Sequence, residues 1–310
     1  MRILVTGGAG FIASHIADAF IDLGHEVVVL DNLSTGMRAN LNPKAIFVEG
    51  DITDATLVNA LFAEYRFDVV NHHAAQLDIR KSVADPAFDA KTNILGSLNL
   101  MEAARNQGGV RLFMFASSGG AVYGEQEYFP ADEKHPTAPI SPYGITKRTA
   151  ELYLHYYQVV HGLNFVSFRY TNVYGPRQSA HGEAGVVAIF IDRLMAGKDC
   201  IINGDGKQTR DYVFIGDLVR AHVLALKNLK GSNIFNICVE KETDVNKIFA
   251  TLSQHVTDGK AIALHGPAKA GEQQRSCCSY KHIEEVLGWK PEVSLEKGLE
   301  LTVESFRSEL

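Results

Sequence analysis

Apolar residues fall in short bursts separated by amphipathic stretches. The bursts predict strands over RILVTG (2–7), EVVVLD (26–31), AIFVEGD (45–51), FDVVNHHAA (67–75), RLFMFASS (111–118) and NFVSFRY (164–170). Between them, FIASHIADAFIDLG carries Ile12, Ile16 and Phe20 on one helical face and stops at Gly24, and NILGSLNLMEAARNQG reads as another helix. Short apolar strands alternating with helices imply a parallel, doubly wound sheet with covered faces. Beyond Tyr170 the rhythm loosens into the Gly-rich segments GPRQSAHGEAG and NGDGKQTRD. A helix then returns at IGDLVRAHVLALKNL and a strand at NIFNICV.

Length sharpens this picture, because 310 residues are many for one hydrophobic core. We expect an α/β protein with a first domain over 1–170, joined by late sheet elements from about 212–238. A smaller C-terminal α/β lobe over 171–310 is interleaved with it. Hydrophobic content of 46% and charged content of 21% suit a globular enzyme. The net charge of −6, with both signs spread along the chain, argues against nucleic acid or an anionic membrane as the partner. No apolar run approaches the roughly 20 residues needed to span a bilayer. MRILVTGG reads as a first strand and not as a signal peptide. Cys200, Cys238, Cys277 and Cys278 fit no zinc spacing, and the adjacent pair is strained as a disulfide. Reduced structural thiols and a cytoplasmic location are expected.

TGGAGFIAS follows the first strand and opens the first helix as Gly7-x-x-Gly10-x-x-Ala13. Such glycines let the backbone turn tightly against a pyrophosphate facing a helix N-terminus, the device of a Rossmann-type sheet. Asp31, ending the second strand, is placed to bind an adenosine ribose and to repel a 2′-phosphate, which favours NAD over NADP. Asp51 and Ile52 after the third strand read either as neighbours of the adenine or as a loop acid and a core residue. In SPYGITK, Ser141 is a helix N-cap and Pro142 fits the first turn, so Tyr143 and Lys147 share one face at i and i+4. An unperturbed tyrosine, with a pKa of about 10, is a poor base at neutral pH. A neighbouring ammonium and the positive nicotinamide ring favour its phenolate, which makes Tyr143 a candidate general base. His72 and His73 diverge as neighbours on a strand, so no metal is expected.

Six stretches carry a resemblance that runs nearly end to end: TGGAGFIASHIADAFIDLGHEVVVLDNLSTG, NHHAAQLDIRKSVADP, SSGGAVYGE, SPYGITK, RYTNVYGPRQ and GDGKQTRDYVFIGDL. The chain resembles the extended short-chain dehydrogenases/reductases, and most of all the UDP-glucose 4-epimerases, isomerases of carbohydrate metabolism. The resemblance implies interconversion of UDP-galactose and UDP-glucose through a transient 4-keto sugar. NAD takes hydride from C4 while Tyr143 takes the O4 proton, and the hydride returns to the other face. It further implies cofactor contacts from Gly7, Gly10, Phe11, Ile12, Asp31, Asn32, Ser34, Thr35, Gly36, Asp51, Ile52, Ala74, Ala75, Gln76, Asn93, Ser117, Tyr143, Lys147 and Tyr170. For the UDP-sugar it implies Asn172 near the sugar and phosphates, and Arg210 and Arg275 on the diphosphate. Val187 and Ile202 stand where the uracil would be sandwiched, or where a core would simply be packed. Ser276 falls at a pocket gate, where a small side chain leaves room for an N-acetyl group. A homodimer is implied through helices near residues 90–106 and 144–160.

Two residues depart from the family pattern. Ala13 replaces a third glycine that allows close helix–strand packing. Gly119 stands where a proton-relaying Ser or Thr is usual, and Ser118 is one residue early. Neighbouring side chains on a strand point to opposite faces, so Ser118 reaches the sugar only if the strand end twists or bulges. Three routes remain for the O4 proton: Ser118, a water at Gly119, or Tyr143 directly, of which the third is preferred. Three other activities also fit the pattern in part. A 4,6-dehydratase lacks the expected acids in GGAVYG; a UDP-glucuronate epimerase or decarboxylase stays open; and a non-catalytic NAD-binding regulator would have no need of Tyr143, Lys147, Arg210 and Arg275.

Overall fold

The computed structural model describes residues 1–180, 185–268 and 273–308. Its strands are β1 (Arg2–Thr6), β2 (Glu26–Asp31), β3 (Ile46–Glu49), β4 (Val69–His72), β5 (Leu112–Ser118), β6 (Phe165–Tyr170), β7 (Asn172–Tyr174), β8 (Ile201–Asn203), β9 (Thr209–Phe214), β10 (Asn233–Ile237), β11 (Glu242–Asp244) and β12 (Leu264–Gly266). Among the described residues, seven strands form one sheet in the order β10-β6-β5-β4-β1-β2-β3. The β1–β2, β1–β4, β2–β3 and β4–β5 pairs are parallel. This is a Rossmann-type order. It reverses between β1 and β4, where α/β sheets bind ligands beyond the strands' carboxyl ends. Two smaller sheets, β11-β9-β7 and β12-β8, complete the fold.

The helices begin and end where local chemistry permits. α1 (Phe11–Asp22) starts at Gly10 and ends at Leu23, followed by Gly24 at φ +80°. α2 (Ala55–Tyr65) is capped by the Asp54 carboxylate, which accepts the Thr56 and Leu57 N–H groups. Two short helices follow, α3 (Ile79–Ala84) and α4 (Pro86–Ala90). The helix expected from residue 93 starts two residues earlier, with a π-helical turn, Lys91–Leu95, that buries Asn93. It continues as α5 (Gly96–Gln107). The turn α6 (Gly119–Val122) follows β5 directly. α7 (Pro142–His161) has the expected cap, with the Gly144 N–H donating to Ser141 Oγ at 3.1 Å. The remaining helices are α8 (Val186–Met195), α9 (Ile215–Asn228), α10 (Val245–Thr257), α11 (Lys281–Leu287) and α12 (Leu295–Ser308).

The chain divides into two compact units. The first comprises 1–124, 137–169 and 221–235. Leu4, Val28, Leu30, Phe62, Phe67, Leu100, Met101, Phe113, Phe115 and Leu154 belong to its core, filled from the sheet and from α2, α5 and α7. The second comprises 125–136, 170–220 and 236–310. Within it Phe190 and Phe249 pack edge to face, and the buried Trp289 donates its indole N–H to Asp217 O at 2.9 Å. The 212–238 stretch divides between sheets: β9 pairs with β7 and β11, and β10 reaches the large sheet. Asp211 accounts for the placement of β9, because its fully buried carboxylate takes the N–H groups of Val239 at 2.8 Å and Glu240 at 3.0 Å. Residues 125–136 belong to the second unit through backbone bonds from Ala131 N to Cys277 O and from Ser279 N to Ala131 O.

Candidate active site

At the switch point the first unit builds a cradle from backbone. Gly7 adopts φ +72°, and a Cβ there would lie 2.7 Å from Ala74 N, so only glycine fits between the β1 and β4 exits. Gly10 caps α1 without any side-chain hydrogen bond, which leaves the first-turn N–H groups open to an anion. Asp31 accepts the Ala9 N–H at 3.0 Å on one carboxylate oxygen and the Leu33 N–H at 2.8 Å on the other, which fixes the acid beside the Gly-rich turn. Each oxygen keeps a lone pair for a ribose hydroxyl. Gly36 is forced by contact, since a Cβ there would meet Ala9 and Asp31. These residues fit a dinucleotide. Ala13 is absorbed into the buried face of α1 with Ile16, Ala17 and Phe20, so its extra methyl is simply packed.

The neighbouring expected residues have defined roles in this unit. Asn32 donates to Asp51 at 2.8 Å, while Ser34 and Thr35 are exposed. Burial opposes ionisation of Asp51, but hydrogen bonds from Thr53 and Asn32 outweigh it and hold the carboxyl below its ordinary range. Ile52 is a core residue packed on Gly96, one of its two expected readings. Phe11 and Ile12 open α1 half-buried, and Ala74 and Ala75 are half-buried beyond β4. Gln76 and Asn93 hold each other: Gln76 N–H donates to Asn93 Oδ1 at 2.8 Å, and Asn93 Nδ2 donates to Gln76 O at 2.9 Å.

The tyrosine and lysine meet as expected. Lys147 is buried, donates to Ala116 O at 2.8 Å and has Nζ 5.7 Å from the Tyr143 ring centroid. Burial lowers its pKa to about 8, while Asp89 and Glu151 pull it back up. Tyr143 is half-buried. Gly144 allows α7 to approach the strand end, because a Cβ there would lie 2.6 Å from Ala121 O.

The two serines separate. Ser117 is buried and donates to Glu151 Oε1 at 2.7 Å, which ties its hydroxyl to α7. Ser118 keeps extended angles, φ −138° and ψ 111°, and its side chain leaves the strand on the opposite face. Gly119, buried, opens α6 immediately afterwards, so no bulge turns Ser118 round.

The second unit holds the residues expected to grip the UDP moiety. Arg210 lies on β9, whose neighbour β11 carries Glu242. Arg275 donates to both oxygens of Glu242, at 2.9 and 2.7 Å, and stacks 4.0 Å from the Phe129 ring centroid. The two arginines are thus attached to adjacent strands. Asn172 opens β7, half-buried, and Tyr170 closes β6, buried. Val187 and Ile202 are each 1% exposed, which favours their packing role. Ser276 is buried.

Sequence reading missed a buried polar framework around these groups. Glu151 receives Ser117, Ser167, Arg148 and Arg169, and Asp89 receives Gln76, Asn93 and Thr146. A charge inside the apolar burst NFVSFRY was the available signal for Arg169, and a glutamate one turn past Lys147 was the signal for Glu151. Among the described residues no group of three or more His, Cys, Asp or Glu could hold a metal ion, and no helix is long and apolar enough to cross a membrane. All four cysteines are buried free thiols.

Comparison with known proteins places this geometry. Residues 3–238 match the NAD dependent epimerase/dehydratase family. The chain is 44% identical over 313 residues to a UDP-glucose 4-epimerase of Mycolicibacterium smegmatis, covering 99% of each. It is similar to the crystal structure of the Thermotoga maritima UDP-glucose 4-epimerase with UDP-glucose, at 46% identity and a TM-score of 0.97, covering 100% of this chain and 99% of the other. The Thermus thermophilus UDP-glucose 4-epimerase in complex with NAD aligns at 42% identity and a TM-score of 0.93, with both chains fully covered. Taken with the glycine cradle and the Tyr143–Lys147 pair, these likenesses mean that the chain belongs to the NAD-dependent epimerase/dehydratase family.

Proposed function

We propose that the protein is a UDP-hexose 4-epimerase that interconverts UDP-galactose and UDP-glucose. The observation that carries this is the buried Lys147 ammonium, held between the Ala116 carbonyl and the Tyr143 ring at the end of β5. NAD held at Gly7, Gly10 and Asp31 would supply a reversible hydride acceptor for C4 of the hexose, so no net oxidation would result. The chain supplies the proton path and the grip. Tyr143 Oη takes the O4 proton, and the ammonium of Lys147 favours the phenolate that does so. Ser118 points away from Ser117 and α7, so Tyr143 acts on the sugar without a serine relay.

Gly7, Gly10 and Asp31 hold the dinucleotide by its pyrophosphate and ribose, and the Asp31 carboxylate disfavours a 2′-phosphate. Arg210 and Arg275 hold the UDP diphosphate through charge-assisted bonds, with Asn172 nearer the sugar. The small Ser276 side chain leaves room for an N-acetyl group, so UDP-GlcNAc is a second substrate in this reading. Four buried thiols agree with a cytosolic enzyme of carbohydrate metabolism.

The protein acts as a homodimer in this reading. Phe88 and Leu95 near α4, and Ile145, Leu152, Tyr156, Val159 and Val160 on α7, are apolar side chains half or more exposed, or nearly so. An apolar face of that kind is usual at subunit contacts.

Incubation of purified protein with UDP-galactose and no added reductant tests the activity. UDP-glucose accumulating to an equilibrium mixture without net NADH supports the proposal. Absence of conversion with any UDP-hexose, from a folded NAD-bound protein, would sink it.

A further inference from the structure

Glu151 lies deep in the first unit, 1% exposed, at a position that the proton path does not use. Its carboxylate gathers three elements. From β5, Ser117 Oγ donates at 2.7 Å. From β6, Arg169 donates through Nε at 2.9 Å and Nη2 at 2.7 Å, one bond to each oxygen, and Ser167 Oγ donates at 3.1 Å. From α7 itself, Arg148 Nη1 donates at 3.1 Å. Burial opposes the charge, but Arg169, Ser117 and Arg148 hold the carboxyl below its ordinary range.

The spacing gives this cluster its consequence. Tyr143, Lys147 and Glu151 follow one another at four-residue intervals along one side of α7. Lys147 bonds to the backbone of Ala116, and Glu151 to the side chain of the next residue, Ser117. Two rungs between consecutive strand residues and successive helical turns fix how far α7 sits along β5. Tyr143 stands one turn before Lys147, beside Gly144, which packs against Ala121 just past the end of β5. Arg169 extends the same hold: Nη1 donates to Tyr123 Oη at 3.0 Å, and the guanidinium lies 4.9 Å from that ring's centroid. Tyr123 follows α6, against which Gly144 packs. β5, β6 and α7 therefore meet at one buried ion pair. An apolar cluster of equal volume would secure the fold as well, because burial of two charges is costly and such pairs are weak sources of stability. What the ion pair adds is direction.

We propose that Glu151 is a positioning residue for the reaction: shared between Ser117 and Arg169, its carboxylate sets the height of α7 along β5, and with it the placement of the Tyr143 hydroxyl and the Lys147 ammonium. The proposal rests on the epimerase reading above. Its negative charge also favours the protonated form of Lys147.

Three variants test it with UDP-galactose as substrate. Ser117→Ala cuts one rung and leaves the ion pair. It is expected to lower kcat about tenfold with KM within about twofold, the pattern of an interaction felt in the transition state. Glu151→Gln is expected to lower kcat about a hundredfold, the scale of a misplacement of about 1 Å. It should also move the alkaline limb of the kcat profile to lower pH, because Lys147 loses a carboxylate neighbour. The double variant Glu151→Gln with Arg169→Met removes both charges, guarding against misfolding around an unpaired arginine. It is expected to fold and retain NAD without recovering kcat. Wild-type kcat in the folded double variant, or in Ser117→Ala, would show a merely structural role and overturn the proposal. Failure of the wild type to convert any UDP-hexose is a separate result. It would remove the epimerase reading, and this proposal with it.

Discussion

Lys147 Nζ lies 5.7 Å from the centroid of the Tyr143 ring, one helical turn away on α7, and only 4.9 Å from that of Phe115. An ammonium lodged among aromatic rings is poorly hydrated, which is why burial lowers its pKa to about 8 despite the opposing pull of Asp89 and Glu151. The charge is present below that pH and lost above it. A phenolate that depends on the charge loses its support in the same range. We therefore expect kcat/KM to fall as pH rises past about 8, where the free enzyme's groups are read. Lys147→Met should remove that limb and lower kcat by about 10²- to 10⁴-fold. A profile flat to pH 10 in the wild type would separate Lys147 from the chemistry.

Ser118 and Tyr143 make opposite predictions. Ser118 is the last extended residue of β5 and faces away from Ser117, whose hydroxyl is committed to Glu151. Ser118→Ala should lower kcat less than about tenfold, and Tyr143→Phe about a thousandfold or more, within the range for loss of a positioned proton acceptor. Steady-state kinetics on the two variants decide this. Comparable losses would make Ser118 a relay.

These contrasts show where the sequence was legible. The strand bursts, the Ser141 cap and the i, i+4 pair depend on local periodicity, so they could be read directly and are found in place. Glu151 and Arg169 lie 18 residues apart on different elements, and their pairing follows from sheet order. One-dimensional spacing does not contain that order. The destination of β9 was hidden for a similar reason. Late sheet elements are expected from about 212, but the place of β9 in the small sheet follows from the backbone donors at 239 and 240 that meet Asp211. The π-helical turn at Lys91–Leu95 was invisible because its apolar pattern also suits an ordinary helix.

Arg275 should affect binding and not chemistry. Its guanidinium makes a two-point ion pair with Glu242, and the side chain is about half exposed. An exposed pair of this kind contributes little to stability, so the group can be removed without harm to the fold. Loss of a charged hydrogen bond to phosphate is worth about 1.5–3 kcal/mol. Arg275→Leu is expected to raise KM for UDP-galactose about 10- to 100-fold, with kcat within about twofold and the melting temperature unchanged. Unaltered KM would remove Arg275 from the diphosphate site.

The exposed apolar side of α7 predicts an assembly. Leu152 is 53%, Tyr156 47% and Val159 64% exposed, all on a helix whose other face is buried by Ala150, Leu154 and Tyr157. Tyr156→Glu combined with Val159→Glu puts charges on the proposed contact and leaves the core intact. Sedimentation velocity should show a dimer for the wild type and a monomer for the double variant. A monomeric wild type at micromolar concentration would refute the dimer.

His72 sets a limit on acid stability. Ser97 Oγ donates to Asn93 O at 2.6 Å, so it accepts the His72 Nε2–H at 2.8 Å. Thr6 Oγ1 already accepts the N–H groups of His73 and Ala74, each at 3.2 Å, so its own proton goes to His72 Nδ1 at 2.8 Å. The ring is thus held neutral, and a second proton would put donor against donor beneath the turn that meets Gly7. Burial, helped by the charges of Lys147 and His73, holds His72 well below its ordinary pKa, and burial does the same to His222. The unfolded chain binds these protons near pH 6.5 and the folded chain does not. Stability is therefore complete above about 6.5 and lost as pH falls below it. Asp211 opposes this, because burial raises its pKa to about 7 and the folded state holds its proton between about 4 and 7. Burial lowers His73 as well, to about 3, so three histidines outweigh one carboxyl and the urea midpoint should decline from pH 6.5 to 4.5. Asp211→Asn, by removing the opposing group, should steepen that decline, and His72→Asn should flatten it. A midpoint that rises on acidification in the wild type would show that Asp211 dominates and that the His72 ring accepts its proton without cost.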